Sequence, residues 1–292
     1  MEHPDYNSPL ALKAFLDGNG MAMQKKFGQN FLVNGDARRR IVDALDIDGS
    51  KNVWEVGPGL GSMTAEILSR GASLTAFEID RGFARLVGEF FADEAARGKF
   101  RLVEGDVLKT WKGELEKSGV PDRFFGNLPY NVAATIVADT IASGVRFEKA
   151  VVTVQKEVAV RMAADCGSGD YSSFSVLCRW AYRISNVADL AGGNFWPVPR
   201  VASRAVLMER RDGFPGCANP GLFMGMVRQL FSSRRKTVRN NLARLAGADS
   251  GDVISSAGID PSSRAESLSV EELLALSDKL GEFLGRIGDE KN

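Results

Sequence analysis

The sequence predicts an α/β protein, in which a mostly parallel, doubly wound sheet is followed by a small all-α C-terminal domain. Three observations carry this. From about residue 52, short apolar runs alternate with stretches of helical spacing, the βαβα rhythm of a parallel sheet. The first run ends in Gly57-Pro58-Gly59-Leu60-Gly61, with glycines where a strand turns into a helix. Near residue 210 the strand-like runs stop and only helical spacing follows.

In chain order, Leu10–Leu16 reads as a short helix and Asn52–Val56 as the first sheet strand. Met63–Ser69 has helical spacing, Leu74–Glu78 is a strand, Phe83–Ala96 a helix, and Phe100–Glu104 and Arg123–Gly126 are strands. Val132–Ser143 follows as a helix and Ala150–Gln155 as a strand of β-branched residues. Strands expected at Ser175–Ile184 and Ala202–Glu209 would complete the sheet, partly antiparallel. Asp212-Gly213-Phe214-Pro215-Gly216 reads as a linker. Beyond it come helices at Pro220–Ser233, Lys236–Ala246, Asp252–Ala257 and Val270–Arg286, the last with Ser269 as N-cap and Glu272 completing a capping box. The expected domains are 1–210 and 211–292.

The 292 residues, 44% hydrophobic and 25% charged, have the composition of a soluble globular protein. No run is apolar enough to span a bilayer, and the N-terminus does not read as a signal peptide. Cys166, Cys178 and Cys217 form neither a metal-ligand pattern nor a disulfide framework, which points to a reducing cytoplasm. The single histidine, His3, sits at the extreme N-terminus, which argues against Ser-His-Asp, Cys-His and histidine-metal chemistry. A reaction whose electrophile is already activated by a cofactor fits that restriction.

Lys+Arg and Asp+Glu are 37 each, so net charge announces no polyanionic partner. The charge is locally uneven. Residues 21–40 hold Lys25, Lys26, Arg38, Arg39 and Arg40 against Asp36, and 231–244 hold Arg234, Arg235, Lys236, Arg239 and Arg244 with no acid. Such runs are either solvated helix faces or tracks for a phosphate backbone. For the second run RNA contact is favoured, because it falls within one expected helix.

Candidate site residues cluster at strand ends. Glu78 ends its strand 21 residues after Gly57, where a carboxylate can accept both hydroxyls of an adenosine ribose. Asp106 follows Gly105 at the next strand end and can accept an adenine amine. Each acid alone could equally be a helix cap; three strand ends in a row suited to one adenosine make coincidence a poor account. Asn127-Leu128-Pro129-Tyr130 ends a further strand. Its amide and carbonyls can accept hydrogen bonds from an exocyclic –NH₂ group while the ring stacks on the base, although Asn and Pro are also ordinary turn residues.

Glu55-Val56-Gly57-Pro58-Gly59-Leu60-Gly61, Phe77-Glu78-Ile79-Asp80, Gly105-Asp106-Val107 and Gly126-Asn127-Leu128-Pro129-Tyr130-Asn131 occur in order. Together they resemble class I S-adenosylmethionine-dependent methyltransferases of the adenine-N6 type. Further segments are similar to the ribosomal RNA adenine dimethylases: Lys25-Lys26-Phe27-Gly28-Gln29-Asn30-Phe31-Leu32, Gln155-Lys156-Glu157-Val158, Phe195-Trp196-Pro197-Val198-Pro199-Arg200-Val201, Arg234–Leu242 and Gly258-Ile259-Asp260-Pro261. The resemblance spans about residues 10–285 and is nearest to the branch acting on small-subunit (16S) rRNA, the kasugamycin-sensitivity dimethylases.

The resemblance implies a Rossmann-like, seven-stranded sheet and S-adenosylmethionine as cofactor. Asn30 and Leu32 would lie at the methionine end, Gly57 against the cofactor backbone, Glu78 on the ribose, Asp106 on the adenine and Asn127 near the sulfonium. It implies catalysis by Asn127, Leu128, Pro129 and Tyr130, with Tyr130 and Phe195 on the target base and no metal. Lys25, Lys26, Arg234, Arg235, Lys236 and Arg239 would contact RNA, in a monomer acting on 16S rRNA within the small ribosomal subunit or its precursor. Ala202 stands where the family usually has Asp. The rival functions are a large-subunit rRNA methylase of the macrolide-resistance type, a DNA adenine methylase, a non-catalytic ribosome assembly factor and a nicotinamide oxidoreductase. The C-terminal helical part, the absence of a recognisable DNA target-recognition domain, the intact acids and the glycine spacing argue against them respectively.

Overall fold

The computed structural model describes residues 2–21, 23, 29–127 and 130–289. Lys25, Lys26, Leu128 and Pro129 lie outside the described residues, and Tyr130 is described only as the first residue of a helix. Two compact units are present. The first comprises residues 1–136, 147–159 and 185–210, and the second 137–146, 160–184 and 211–292. The helical unit is therefore discontinuous and takes in more chain than the expected 211–292.

The first unit is built on a sheet of seven strands: β2 (Asn52–Val56), β3 (Ser73–Glu78), β4 (Phe100–Glu104), β5 (Arg123–Asn127), β6 (Lys149–Gln155), β7 (Tyr182–Leu190) and β9 (Ser203–Arg210). Their order is β4-β3-β2-β5-β6-β9-β7. The neighbours from β4 to β6 are parallel, and β9 runs antiparallel to β6 with Val152 opposite Val206. The parallel centre needs apolar faces on both sides, and the sequence supplies them: Phe125, Val151 and Val152 are fully buried. Burying each such side chain contributes roughly 1.5–3 kcal/mol. A separate two-stranded ribbon pairs β1 (Phe31–Leu32) with β8 (Phe195–Trp196), antiparallel, with Phe31 opposite Trp196 and Leu32 opposite Phe195.

Strand order decides where a ligand can sit. From β2 the chain first adds β3 and β4 on one side, then returns to add β5 and β6 on the other. Adjacent crossovers therefore leave β2 and β5 in opposite directions, opening a crevice at their carboxyl ends. The helices entered from those ends carry their own caps. Asp80 accepts from Gly82 and Phe83 N–H at the start of α4 (Arg81–Phe90), and Asp106 caps α6 (Val107–Ser118).

The second unit buries Phe223, Met226, Leu230, Leu242, Ile254, Leu273, Leu276 and Leu280. It includes α10 (Pro220–Leu230), α11 (Val238–Ala246), α12 (Ser250–Ser256) and α13 (Val270–Asp289). The Ser269–Glu272 capping box forms: Glu272 N–H donates to Ser269 Oγ at 3.1 Å, and Ser269 N–H to Glu272 Oε2 at 2.8 Å.

Two expectations are corrected. Ser175–Ile184 is not a strand: Ser173–Ala181 is the helix α9, and β7 begins only at Tyr182. Ser172 and Ser175 form a reciprocal capping box there, a helix-start signal hidden by the apolar density of Val176–Ala181. The basic run 231–244 is not one helix. Arg234, Arg235 and Lys236 form the turn between α10 and α11, and only Arg239 and Arg244 are helical.

Candidate cofactor and methyl-transfer site

The crevice holds a cleft of about 450 Å³, within the size range of small-ligand sites. Six of the expected cofactor residues, Asn30, Leu32, Gly57, Glu78, Asp106 and Asn127, all line it. They come from the ribbon and from the ends of β2, β3, β4 and β5.

The floor is the loop after β2. Gly57 N–H donates to Phe77 O at 2.9 Å, continuing the β2–β3 ladder past the strand end. Gly59 and Gly61 have φ of 57° and 84°, and close neighbours add to the demand for glycine. A Cβ on Gly59 would lie 2.9 Å from the Phe31 ring and one on Gly61 2.6 Å from the Phe91 ring. The loop thus lies as bare backbone against the cleft and hands the chain to α3 (Ser62–Ser69).

Glu78 is 5% exposed. Its Oε2 accepts Gly59 N–H at 3.0 Å and its Oε1 accepts Asp80 N–H at 2.9 Å. Burial raises its pKa, and these backbone donors oppose the rise. Each oxygen keeps acceptor capacity beyond the bond it makes, as two adjacent hydroxyls require. Asp106 Oδ1 accepts Leu108 N–H at 3.0 Å, so the residue is a helix cap and a lining residue at once. Asn127 Nδ2 donates to Asn30 O at 2.9 Å. A carbonyl only accepts, which fixes the amide flip and leaves Oδ1 as the acceptor for a ligand.

Several cleft residues escaped the sequence reading. Glu55 is 1% exposed, its Oε2 accepts from Thr64 Oγ1 at 2.7 Å, and burial pushes its pKa up to about 8. Its place in the glycine motif was the available signal. Gln29 reaches Asp80 Oδ2 at 3.3 Å. Phe31 packs beneath Gly59, and Ile79 and Val107 give the cleft apolar walls; all of these stand within quoted motifs.

Phe195 is 4% exposed in the core opposite Leu32, and is not among the residues lining the cleft. Ala202 is exposed, and its carbonyl accepts from Lys156 N–H at 2.9 Å. In the second unit Arg234, Arg235, Lys236 and Arg239 are exposed, and among the described residues none of them is in an ion pair. Asn241 holds their turn, donating from Nδ2 to Leu230 O at 2.8 Å and Ser233 O at 3.1 Å. Among the described residues no group of three or more His, Cys, Asp or Glu could hold a metal, and no helix is long and apolar enough to cross a membrane.

The profile of the ribosomal RNA adenine dimethylases matches residues 20–282. The chain belongs to that family. It is 45% identical to ribosomal RNA small subunit methyltransferase A of Treponema denticola over 95% of this chain and 96% of that one. It is 34% identical to the protein of the same name from Borreliella burgdorferi, over 96% of each chain. Two solved structures share the fold. A dimethyladenosine transferase from Plasmodium falciparum has a TM-score of 0.70 at 22% identity, covering 83% of this chain and 94% of that one. The 23S rRNA methyltransferase ErmE has a TM-score of 0.62 at 23% identity, covering 86% and 99%.

As a member of the family, the chain is an S-adenosylmethionine-dependent methyltransferase. The cleft's donor set fits that cofactor: a buried carboxylate for a ribose diol, a second acid for an adenine amine, apolar walls for a flat ring, and a bare glycine loop between them.

Proposed function

We propose that the enzyme transfers methyl groups from S-adenosylmethionine to N6 of two adjacent adenosines in the 3′-terminal hairpin loop of 16S rRNA. Four transfers would give two N6,N6-dimethyladenosines, late in small-subunit biogenesis. The observation that carries the reading is the convergence of all six expected cofactor residues on one cleft, with Asn127 presenting Oδ1 as an acceptor. The names of the relatives support the small subunit as substrate.

The cofactor, when bound, supplies a methyl already activated by its sulfonium. The chain's part is positioning. Glu78 holds the ribose, Asp106 the adenine amine, and Gly57 lies against the cofactor backbone, with Asn30 and Leu32 at its methionine end. Asn127 Oδ1 and the Leu128 carbonyl accept from the target N6, orient its lone pair toward the methyl and stabilise the positive charge that develops there. Pro129 is assigned to the same catalytic segment, and Tyr130 to stacking on the base. Phe195 is assigned the other face, although it is 4% exposed and outside the cleft lining. A paired adenine cannot enter such a cleft, so the target is single-stranded or flipped out. No imidazole is needed, since water takes the proton after transfer.

Lys25, Lys26 and the exposed Arg234, Arg235, Lys236 and Arg239 would grip rRNA phosphates of the partly assembled subunit. The test is primer extension on both rRNAs from cells with and without the gene, with methyl incorporation into undermethylated small subunits. Dimethyladenosines lost from 16S rRNA support the reading, whereas loss from 23S rRNA replaces it with the large-subunit alternative. Failure to bind the cofactor in calorimetry would favour a non-catalytic assembly factor.

A further inference from the structure

Residues 1–20 carry no motif, yet one of their side chains reaches the glycine loop. Tyr6 Oη donates to the carbonyl of Leu60 at 2.9 Å. Leu60 lies between Gly59 and Gly61, and a Cβ on Gly61 would stand 3.5 Å from the same hydroxyl. Tyr6 has a single proton and gives it to Leu60, so His3 Nδ1, 2.8 Å from Tyr6 Oη, is the donor in that contact. The His3 ring stacks on Phe90 with centroids 4.8 Å apart.

The same segment is tied to the opposite wall. Arg38 donates to Leu32 O at 2.7 Å and to Asn7 Oδ1 at 2.8 Å, and Leu32 lines the cleft. Just beyond, the helix α1 (Pro9–Gly18), capped by Ser8, buries Leu12 and Leu16 in the same core as the loop. Tyr6 is thus an anchored ring whose one polar atom is spent on the glycine loop.

We propose that Tyr6 is a positioning residue for the cofactor: its hydroxyl fixes the Leu60 carbonyl, and with it the Gly59–Gly61 backbone, in the form that receives S-adenosylmethionine. The inference rests on the reading of this cleft as the cofactor's seat. A loop with three glycines at positive φ has wide freedom when unrestrained. Preorganising it removes an ordering cost that binding would otherwise meet. Burial and the nearby Glu55 charge raise the Tyr6 pKa, so the phenol remains a donor across the working range.

Tyr6→Phe removes the hydroxyl and keeps the ring. The full-length chain, its Tyr6→Phe variant and a Glu78→Gln control are titrated with S-adenosylhomocysteine by calorimetry. Amide exchange is followed in the absence of ligand, and steady-state rates are measured. Tyr6→Phe is expected to raise the ligand Kd and the cofactor KM together, about 3- to 10-fold, with kcat unchanged. The amides of Gly59–Ser62 exchange faster while those of Val53–Val56 do not. A Kd within about twofold of wild type, with Glu78→Gln weakened, overturns the role of Tyr6 and leaves the cleft assignment standing. Unaltered binding in both variants overturns the cleft assignment and the inference together. Faster exchange throughout the sheet, or a fall in kcat alone, reduces Tyr6 to a structural residue and also overturns it.

Discussion

Replacing Glu78 by glutamine separates the proposed ribose-binding role from the fold more cleanly than truncation does. The two carboxylate oxygens each accept one backbone N–H, from Gly59 and from Asp80. A carboxylate offers about four acceptor positions, so about two remain for two ribose hydroxyls. Glutamine keeps the volume but has one oxygen. Whichever way its amide is set, an NH₂ faces a backbone N–H, and one hydroxyl loses its acceptor. Hydrogen bonds to a charged group contribute about 1.5–3 kcal/mol, so the loss raises the ligand Kd about 10- to 150-fold. The lost backbone bond costs the unliganded protein about 1–3 kcal/mol, partly offset by relief from holding a charge at 5% exposure. Calorimetry with S-adenosylhomocysteine measures the first effect and urea unfolding the second. At saturating cofactor kcat should be nearly retained, because the interaction serves ground and transition states alike. Burial holds the Glu78 pKa above the usual carboxylate range. Wild-type affinity should therefore fall as pH drops through that raised pKa, while the glutamine variant shows no matching fall. A Kd within about threefold of wild type, or the same acid dependence in both proteins, would refute the assignment.

Asn127→Ala should reduce methyl incorporation into undermethylated small subunits to background while the fold, read as the melting temperature, and most RNA binding stay near wild type; near-normal turnover removes Asn127 from the reaction. Replacing Arg235 and Lys236 by Ala should weaken subunit binding and make the slope of log K against log salt shallower by about 2; an unchanged slope takes this turn out of the interface. Glu55→Gln tests the other buried carboxyl. The Glu55 pKa rises from an ordinary value near 4.5 to about 8, so between those pH values the folded state holds a proton that the unfolded state has released. Stability from this group is present at low pH and is lost as pH rises toward 8, by at most about 1.4 kcal/mol per pH unit. Urea midpoints should fall with pH in wild type and fall less in Glu55→Gln; parallel curves would show that Glu55 ionises normally.

The parts of this molecule that could be read in the sequence are those where chemistry meets backbone at a strand end. A strand that ends in an acid, or in glycines at positive φ, constrains only a few consecutive residues. Glu78, Asp106 and the Gly57–Gly61 loop therefore stood out before any tertiary contact was known. The helix α9 did not, because its apolar residues Val176, Leu177, Cys178, Trp180 and Ala181 run without a break signal into the strand that starts at Tyr182. The basic run failed differently. Its helix begins at Val238 because Thr237 caps it, accepting from Asn240 N–H at 3.3 Å, and the three preceding cations fall in a turn. Tyr6 had no local signal, since its partner Leu60 is 54 residues away.

The ribbon explains why two distant motifs are needed around one amide. Asn127 is oriented by the backbone carbonyl of Asn30, 97 residues earlier, so that bond does not read the side chain at position 30. It reads where the carbonyl is. That position is set next door, where Phe31 pairs with Trp196, stacks on it with ring centroids 6.2 Å apart, and packs against the Phe83 ring and beneath Gly59. Phe195, across from Leu32, fills the core behind. The Gln29–Leu32 and Phe195–Trp196 segments thus place the Asn127 amide's orienting acceptor and the underside of the glycine loop in one packed unit. Displacing the ribbon would disturb the proposed acceptor for N6 and the proposed seat of the cofactor together, and on that proposal any motion that admits the target base must preserve the Asn30–Asn127 bond to keep Oδ1 turned toward it.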